Sequence, residues 1–212
     1  MESGSGAGRR QPEEFTVTFV CTGNRARSPV AEELLRRLVP ERDVSVDSVG
    51  TLDLGPVPAL PEARDAAAPL GIDLTPHRAR PLRQGALEAV DLVVGFEPTH
   101  VATAVVDGGV GQERCFTIVE LAQLLESRPA SASSPAAVVE AAHAARSGNP
   151  LSAPSVPDPF GGTPEDFRRM VATVDRLVAA IARGIFGVEV EIPEPEPPPA
   201  GWRALVGRLR SG

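Results

Sequence analysis

The chain has 212 residues, 42% of them hydrophobic and 4% aromatic, with no Tyr and no Lys, enough for one domain with a sizeable core plus extra segments. A net charge of −7 without a dense basic run sets nucleic acid aside as a partner, and two cysteines, Cys21 and Cys115, make neither a disulfide framework nor a zinc constellation. The opening MESGSGAGRRQPEE lacks the apolar core of a signal peptide and no apolar run reaches the length of a transmembrane segment, so the expected location is cytoplasmic, where a free thiol survives.

Residues 1–13 are mostly Gly, Ser, Arg and Glu and read as a disordered start. Phe15 to Val20 (FTVTFV) is a β-branched and aromatic run that predicts a buried strand. CTGNRARS follows, and Pro29 opens VAEELLRRLV, a helical pattern with Pro in its first turn. Val44 to Ser48 predicts a second strand closed by Gly50, and Pro61 to Leu70 a short helix stopped by Gly71. A helical stretch ending near Val90 leads to a third strand, Asp91 to Gly95. Pro98 to Val106 predicts another helix, Arg114 to Ile118 a fourth strand, and Glu120 to Glu126 the start of a further helix.

Residues 127–157 are rich in Ala, Ser and Pro, with a helix from about Ala136 to Arg146. After VPDPFGG comes a strong terminal helix, with Thr163 as its cap, Pro164 at its first position and Asp166 in the capping-box position. Phe167, Met170, Val171, Val174, Leu177, Val178 and Ile181 form its apolar face. From Val188 a Pro/Glu linker is expected to be extended. It ends in a short basic amphipathic tail with Trp202, Leu205, Val206 and Leu209 on one helical side. The division is therefore 1–13, a folded domain over 14–187, and 188–212. Strands alternating with helices predict an α/β fold, three layers α/β/α around a four-stranded parallel sheet. Functional groups then belong at the carboxyl ends of the strands, and the loop after the first strand holds Cys21.

A loop between a strand and a helix N-terminus is an anion site, with backbone N–H groups of Thr22, Gly23, Asn24, Arg25 and Ala26 turned inward. A thiol placed there ionises more readily. Arg27, six residues after Cys21, comes back over the site and can hold two oxygens of an oxyanion at once, which Lys cannot. Ser28 can donate to the Cys21 sulfur, steadying it as nucleophile and as leaving group. Asp158, held between Pro157 and Pro159, is the candidate general acid and then base.

VCTGNRARSPVAEE at 20–33, together with DPFGG at 158–162, resembles the low-molecular-weight protein tyrosine phosphatases over about Phe15 to Ile185. The resemblance implies that family's fold, a phosphocysteine intermediate, no metal or other cofactor, and Asp158 as acid then base. It also implies that Asn24 and Ser48 brace the phosphate loop and that His77 and Glu32 belong to the same supporting network. Several positions depart from the family. Ala26 stands where a second loop Cys is frequent, so an oxidised Cys21 has no neighbour within the loop to close a disulfide. Phe160 replaces a frequent Tyr, and Leu52 and Leu54 replace an aromatic wall, leaving Phe160 and Leu54 as the substrate wall. Arg25 adds a cation.

The implied substrate is a phosphotyrosine protein or a small aryl phosphate. Two other readings stay open: a thiol-dependent arsenate reductase on the same scaffold, and a non-catalytic phosphate-binding module. Asp158 also reads as a plain turn residue, His77 as a loop residue capping a turn, and Cys115 as core. His100 and His143 read as solvent-facing helix residues. The tail reads as a packed or frayed end, or as a segment docking a partner or a membrane surface.

Overall fold

The computed structural model describes residues 14–40, 42–127, 134–147 and 153–190. The readings of 1–13 and of the tail from 191 lie outside them. Strand β1 (Phe15–Cys21) is buried along nearly its whole length, as expected of a central parallel strand covered on both faces. It is followed by α1 (Arg27–Leu38), β2 (Val44–Gly50), α2 (Pro61–Ala67), β3 (Leu92–Gly95), α3 (Pro98–Val106), β4 (Cys115–Thr117), α4 (Ile118–Glu126), α5 (Pro135–Ala145) and α6 (Pro164–Phe186).

The four strands form one sheet in the order β2-β1-β3-β4, all neighbours parallel. The chain leaves β1 to one side for β2 and returns to the other side for β3, so the strand order switches direction at the carboxyl end of β1. The register places Cys21 beside Gly50 and Val20 beside Gly95. That crevice is where open α/β sheets bind ligands.

The larger core joins β1 to α1, α4 and α6, with Phe19, Leu35, Phe116, Leu121 and Ile181 fully buried. A second cluster of Val20, Val93, Val101, Ala104, Val110 and Cys115 packs α3 on the opposite face. These are the three layers expected. In α6 all seven residues of the expected apolar face are buried. Thr163 and Asp166 cap it reciprocally, and Gly187 ends it at φ 64°. Burial of a side chain such as Phe19 contributes roughly 1.5–3 kcal/mol.

Local differences have local causes. The expected helix before Val90 is a run of turns; Gly85 takes φ +72°, which interrupts helical winding there. The helix expected from Glu120 begins two residues earlier, because the Thr117 hydroxyl accepts from Glu120 N at 3.2 Å and caps it. In the 127–157 stretch, α5 is tied down by Arg146, which donates to Cys115 O at 2.7 Å and pairs with Glu120 at 2.8 Å. No helix among the described residues is long and apolar enough to cross a membrane.

Candidate active site

Cys21 ends β1, and the loop after it folds over the end of β2. Thr51 N donates to Cys21 O and Leu52 N to Thr22 O, both at 2.9 Å. A Cβ on Gly50 would stand 2.9 Å from Thr22 O and 3.0 Å from Asn24 N, so this close crossing needs a residue without one. Asn24 sits at φ 51°, in the left-handed region where Asn is among the better tolerated residues. Its N–H thereby turns onto the sulfur, with Asn24 N 3.3 Å from Cys21 Sγ.

Asn24 is fully buried and uses its whole amide. Nδ2 donates to Ser28 Oγ at 2.9 Å and to Ser48 Oγ at 2.7 Å, while Oδ1 accepts from Arg80 N at 2.9 Å. Ser28 Oγ lies 3.0 Å from Cys21 Sγ; with Asn24 donating to that oxygen, its hydrogen is available to the sulfur. Ser48 passes its own hydrogen to Glu32, which also pairs with Arg36 at 2.6 Å. Burial raises the Glu32 carboxyl above its usual range. His77 Nε2 donates to Asn24 O at 2.7 Å, and burial lowers the pKa of its ring. Asn24, Ser48, Glu32 and His77 are thus one hydrogen-bonded set behind the loop.

Arg27 is the first residue of α1, whose N-terminus carries no side-chain cap and no acidic residue in its first turn. Its open N–H groups and dipole favour an anion in front of it. The Arg27 side chain is 1% exposed, and both of its terminal nitrogens are engaged. Nη1 bonds Glu97 and, at 3.1 Å, Val156 O; Nη2 reaches Thr22 Oγ1 at 3.2 Å and Asp158 Oδ2 at 2.6 Å. Its carbon lies 5.9 Å from the Phe96 ring centroid. Asp158 Oδ1 accepts from Phe160 N at 3.1 Å, an Asx turn that aims the other oxygen at Arg27.

A cavity of about 290 Å³ opens over Cys21, lined by Leu52, Leu54, Leu60 and Phe160 with Arg25 and Asp158. Arg25 is held through Nε, which donates to Pro58 O at 2.8 Å. Cys115 is fully buried in the second cluster on β4, where burial pushes its thiol up to about 12. His143 is exposed on α5.

His100, expected to face solvent, is 2% exposed. Nδ1 accepts from Glu97 N at 3.1 Å and Phe96 N at 3.3 Å, and Nε2 stands 3.0 Å from Thr22 Oγ1. The helical pattern alone left its direction undetermined; these bonds pull it under the loop. Sequence reasoning also missed Glu97 and the Val156 carbonyl. The available signal was position, since Glu97 and His100 follow directly on the carboxyl end of β3.

Residues 16–130 match the family model described as low molecular weight phosphotyrosine protein phosphatase. The chain belongs to this family. Over 87 residues it is 39% identical to the low molecular weight protein-tyrosine-phosphatase Etp of Escherichia coli K12, covering 41% of this chain and 57% of that relative. It is also 32% identical over 106 residues to a protein-arginine-phosphatase of Bacillus subtilis, covering 49% of this chain and 70% of the relative. Among solved structures, a low molecular weight protein tyrosine phosphatase from T. tengcongensis superposes with a TM-score of 0.60 at 26% identity, over 79% of this chain and 97% of that one. Asp158 and Phe160 lie beyond the residues that the family model matches; the fold brings them to the Cys21 loop.

Proposed function

We propose that this chain hydrolyses aryl phosphomonoesters, on phosphotyrosine proteins or small aryl phosphates, through a phosphocysteine intermediate. The observation that carries the reading is the convergence on one cavity of the Cys21 sulfur, with its two hydrogen-bond donors, and the Arg27–Asp158 pair.

In the first step the Cys21 thiolate attacks phosphorus opposite the ester oxygen. The S–P bond forms, the P–O bond to the aryl group breaks, and the Asp158 carboxyl gives its proton to the departing oxygen. In the second step water attacks phosphorus. Its proton passes to the Asp158 carboxylate, the S–P bond breaks, and thiolate and inorganic phosphate leave. Arg27 and the loop N–H groups neutralise the equatorial oxygens in both steps. Ser28 steadies the sulfur at the start of the first step and the end of the second. A free thiol of this kind suits a reducing cytoplasm.

The cavity walls favour an aryl group. Leu52, Leu54, Leu60 and Phe160 offer apolar surface to a ring. The fixed Arg25 cation opposes the cationic guanidinium of a phosphoarginine substrate. The buried Cys115, across the sheet in another cluster, is poorly placed for an internal thiol cascade, which weakens the arsenate reading. A side-by-side assay of p-nitrophenyl phosphate, a phosphotyrosine peptide, a phosphoarginine peptide and arsenate with added thiol tests the proposal. Turnover of the first two, abolished in Cys21→Ser, is expected. Arsenite production without phosphatase activity, or tight phosphate binding without any turnover, contradicts it.

A further inference from the structure

The side chain of Thr22 has a hydrogen-bond count that does not balance within the protein. Its Oγ1 is 3.2 Å from Arg27 Nη2, and a guanidinium can only donate. It is also 3.0 Å from His100 Nε2. The two backbone N–H groups that point at His100 Nδ1, from Phe96 and Glu97, make that nitrogen an acceptor. The proton of the neutral ring therefore sits on Nε2, which donates to Thr22 as well. Burial and the neighbouring Arg27 charge lower His100 to about 4, against the opposing pull of Glu97 and Asp158, so the ring is neutral at pH 7.

A hydroxyl has two lone pairs and one hydrogen. Both lone pairs of Thr22 are met by donors, and no acceptor among the described residues takes its hydrogen. Thr22 lines the cavity over Cys21. The same Arg27 Nη2 reaches both Thr22 Oγ1 and Asp158 Oδ2, so the hydroxyl lies on the Asp158 side of the site. The placement of His100 is also built into the fold, because a Cβ on Gly95 would stand 3.0 Å from His100 Cβ.

We propose that the Thr22 hydroxyl is a catalytic donor to a phosphoryl oxygen, and that His100 is the positioning residue that, with Arg27, turns it into one. This rests on the phosphatase reading above and adds a side-chain donor to the ring of backbone N–H groups. Without the His100 N–H, one lone pair of Thr22 is free and its hydroxyl rotates among several partners. With it, the only direction left for the hydrogen is the cavity.

The test uses the full chain with p-nitrophenyl phosphate, and inorganic phosphate binding by calorimetry as a readout independent of turnover. Thr22→Val keeps the shape and removes the hydroxyl. It is expected to lower kcat/KM by roughly 10–100-fold, through KM as well as kcat, because the hydroxyl would hold the phosphoryl oxygen both in the bound state and in the transition state. Phosphate binding is expected to weaken by about tenfold. Thr22→Ser restores both. His100→Leu reproduces the Thr22→Val loss, while His100→Gln, which keeps an N–H in place of Nε2, recovers much of it. In the Thr22→Val background, His100→Leu lowers kcat/KM little further.

Thr22→Val within twofold of wild type in kcat/KM and in phosphate affinity overturns the inference. So does an unchanged effect of His100→Leu in the Thr22→Val background, which would make His100 structural only. Thermal melts of every variant separate loss of fold from loss of the donor, and Thr22→Ser decides the question if Thr22→Val fails to fold. A wild-type chain without turnover contradicts the phosphatase reading instead, and phosphate affinity then still decides whether Thr22 donates.

Discussion

Arg27 Nη2 stands 2.6 Å from Asp158 Oδ2, joining the first turn of α1 to a loop 131 residues further along the chain. In the proposed mechanism an incoming phosphoryl dianion competes with Asp158 for the same guanidinium, and once it takes Arg27 the carboxyl is left beside the ester oxygen. Asp158→Asn keeps the shape and removes the transferable proton. We expect kcat for phenyl phosphate to fall by about 10²–10⁴-fold. The loss should be smaller for p-nitrophenyl phosphate, whose leaving group needs less protonation. Equal losses for the two substrates would show that Asp158 only positions Arg27.

Asn24 is fully buried, and its amide bonds Ser28, Ser48 and the Arg80 N–H. Asn24→Ala leaves these partners unmet at the loop and is expected to destabilise by about 1–3 kcal/mol, measured by urea denaturation. Activity should fall more steeply than stability, because Ala adopts less readily than Asn the left-handed backbone that turns the residue-24 N–H onto the sulfur. A variant as active as wild type would remove the brace from the mechanism.

Acid stability carries the signature of His100. The unfolded ring takes a proton near 6.5 and the folded one only at about 4. A lowered folded value gives stability that is present above pH 6.5 and lost as pH falls through 4. The difference amounts to about 3 kcal/mol. His77, also lowered, adds in the same direction, while Glu32, raised, acts oppositely and loses stability as pH rises through its folded value. His100→Gln should therefore flatten the decline in melting temperature between pH 6.5 and 4. A slope as steep as wild type would contradict the neutral buried ring.

Much of this site was legible because its parts are close in sequence. Cys21, Arg27 and Ser28 fall in one strand–loop–helix unit whose spacing points to an anion site, and Asp158 is marked by the prolines on either side. Glu97, His100 and the Val156 carbonyl were not legible in this way. They reach Arg27 or Thr22 only because β3 pairs with β1 and the segment carrying Val156 meets the chain just after β3, where Val156 N bonds Phe96 O. A helical pattern assigns His100 to α3 but does not say that two backbone N–H groups at its start will draw the ring inward. The turn run before Val90 was misread for a related reason, since Ala- and Leu-rich residues 86–90 favour helix locally while Gly85 at φ +72° sets the path.

The cavity walls make a separate prediction for specificity. Phe160 is 72% exposed and Leu54 43%, so replacing them disturbs the fold little, within about 0.5 kcal/mol. Phe160→Ala and Leu54→Ala should each lower kcat/KM for a phosphotyrosine peptide by roughly 3–30-fold, the loss of part of an apolar contact. Arg25→Ala should raise the ratio of phosphoarginine to phosphotyrosine turnover by removing the opposing charge. Unchanged ratios in all three variants would detach these side chains from substrate selection.

The most direct test of the central claim is chemical capture of the intermediate. A rapid denaturing quench at alkaline pH, where an S-phosphoryl group survives, during p-nitrophenyl phosphate turnover, followed by peptide mass analysis, should find one phosphoryl group on Cys21, reached within the first turnover and absent from Cys21→Ala. Turnover that persists in Cys21→Ser, or a phosphoryl group found on another residue, would contradict a mechanism built on this sulfur.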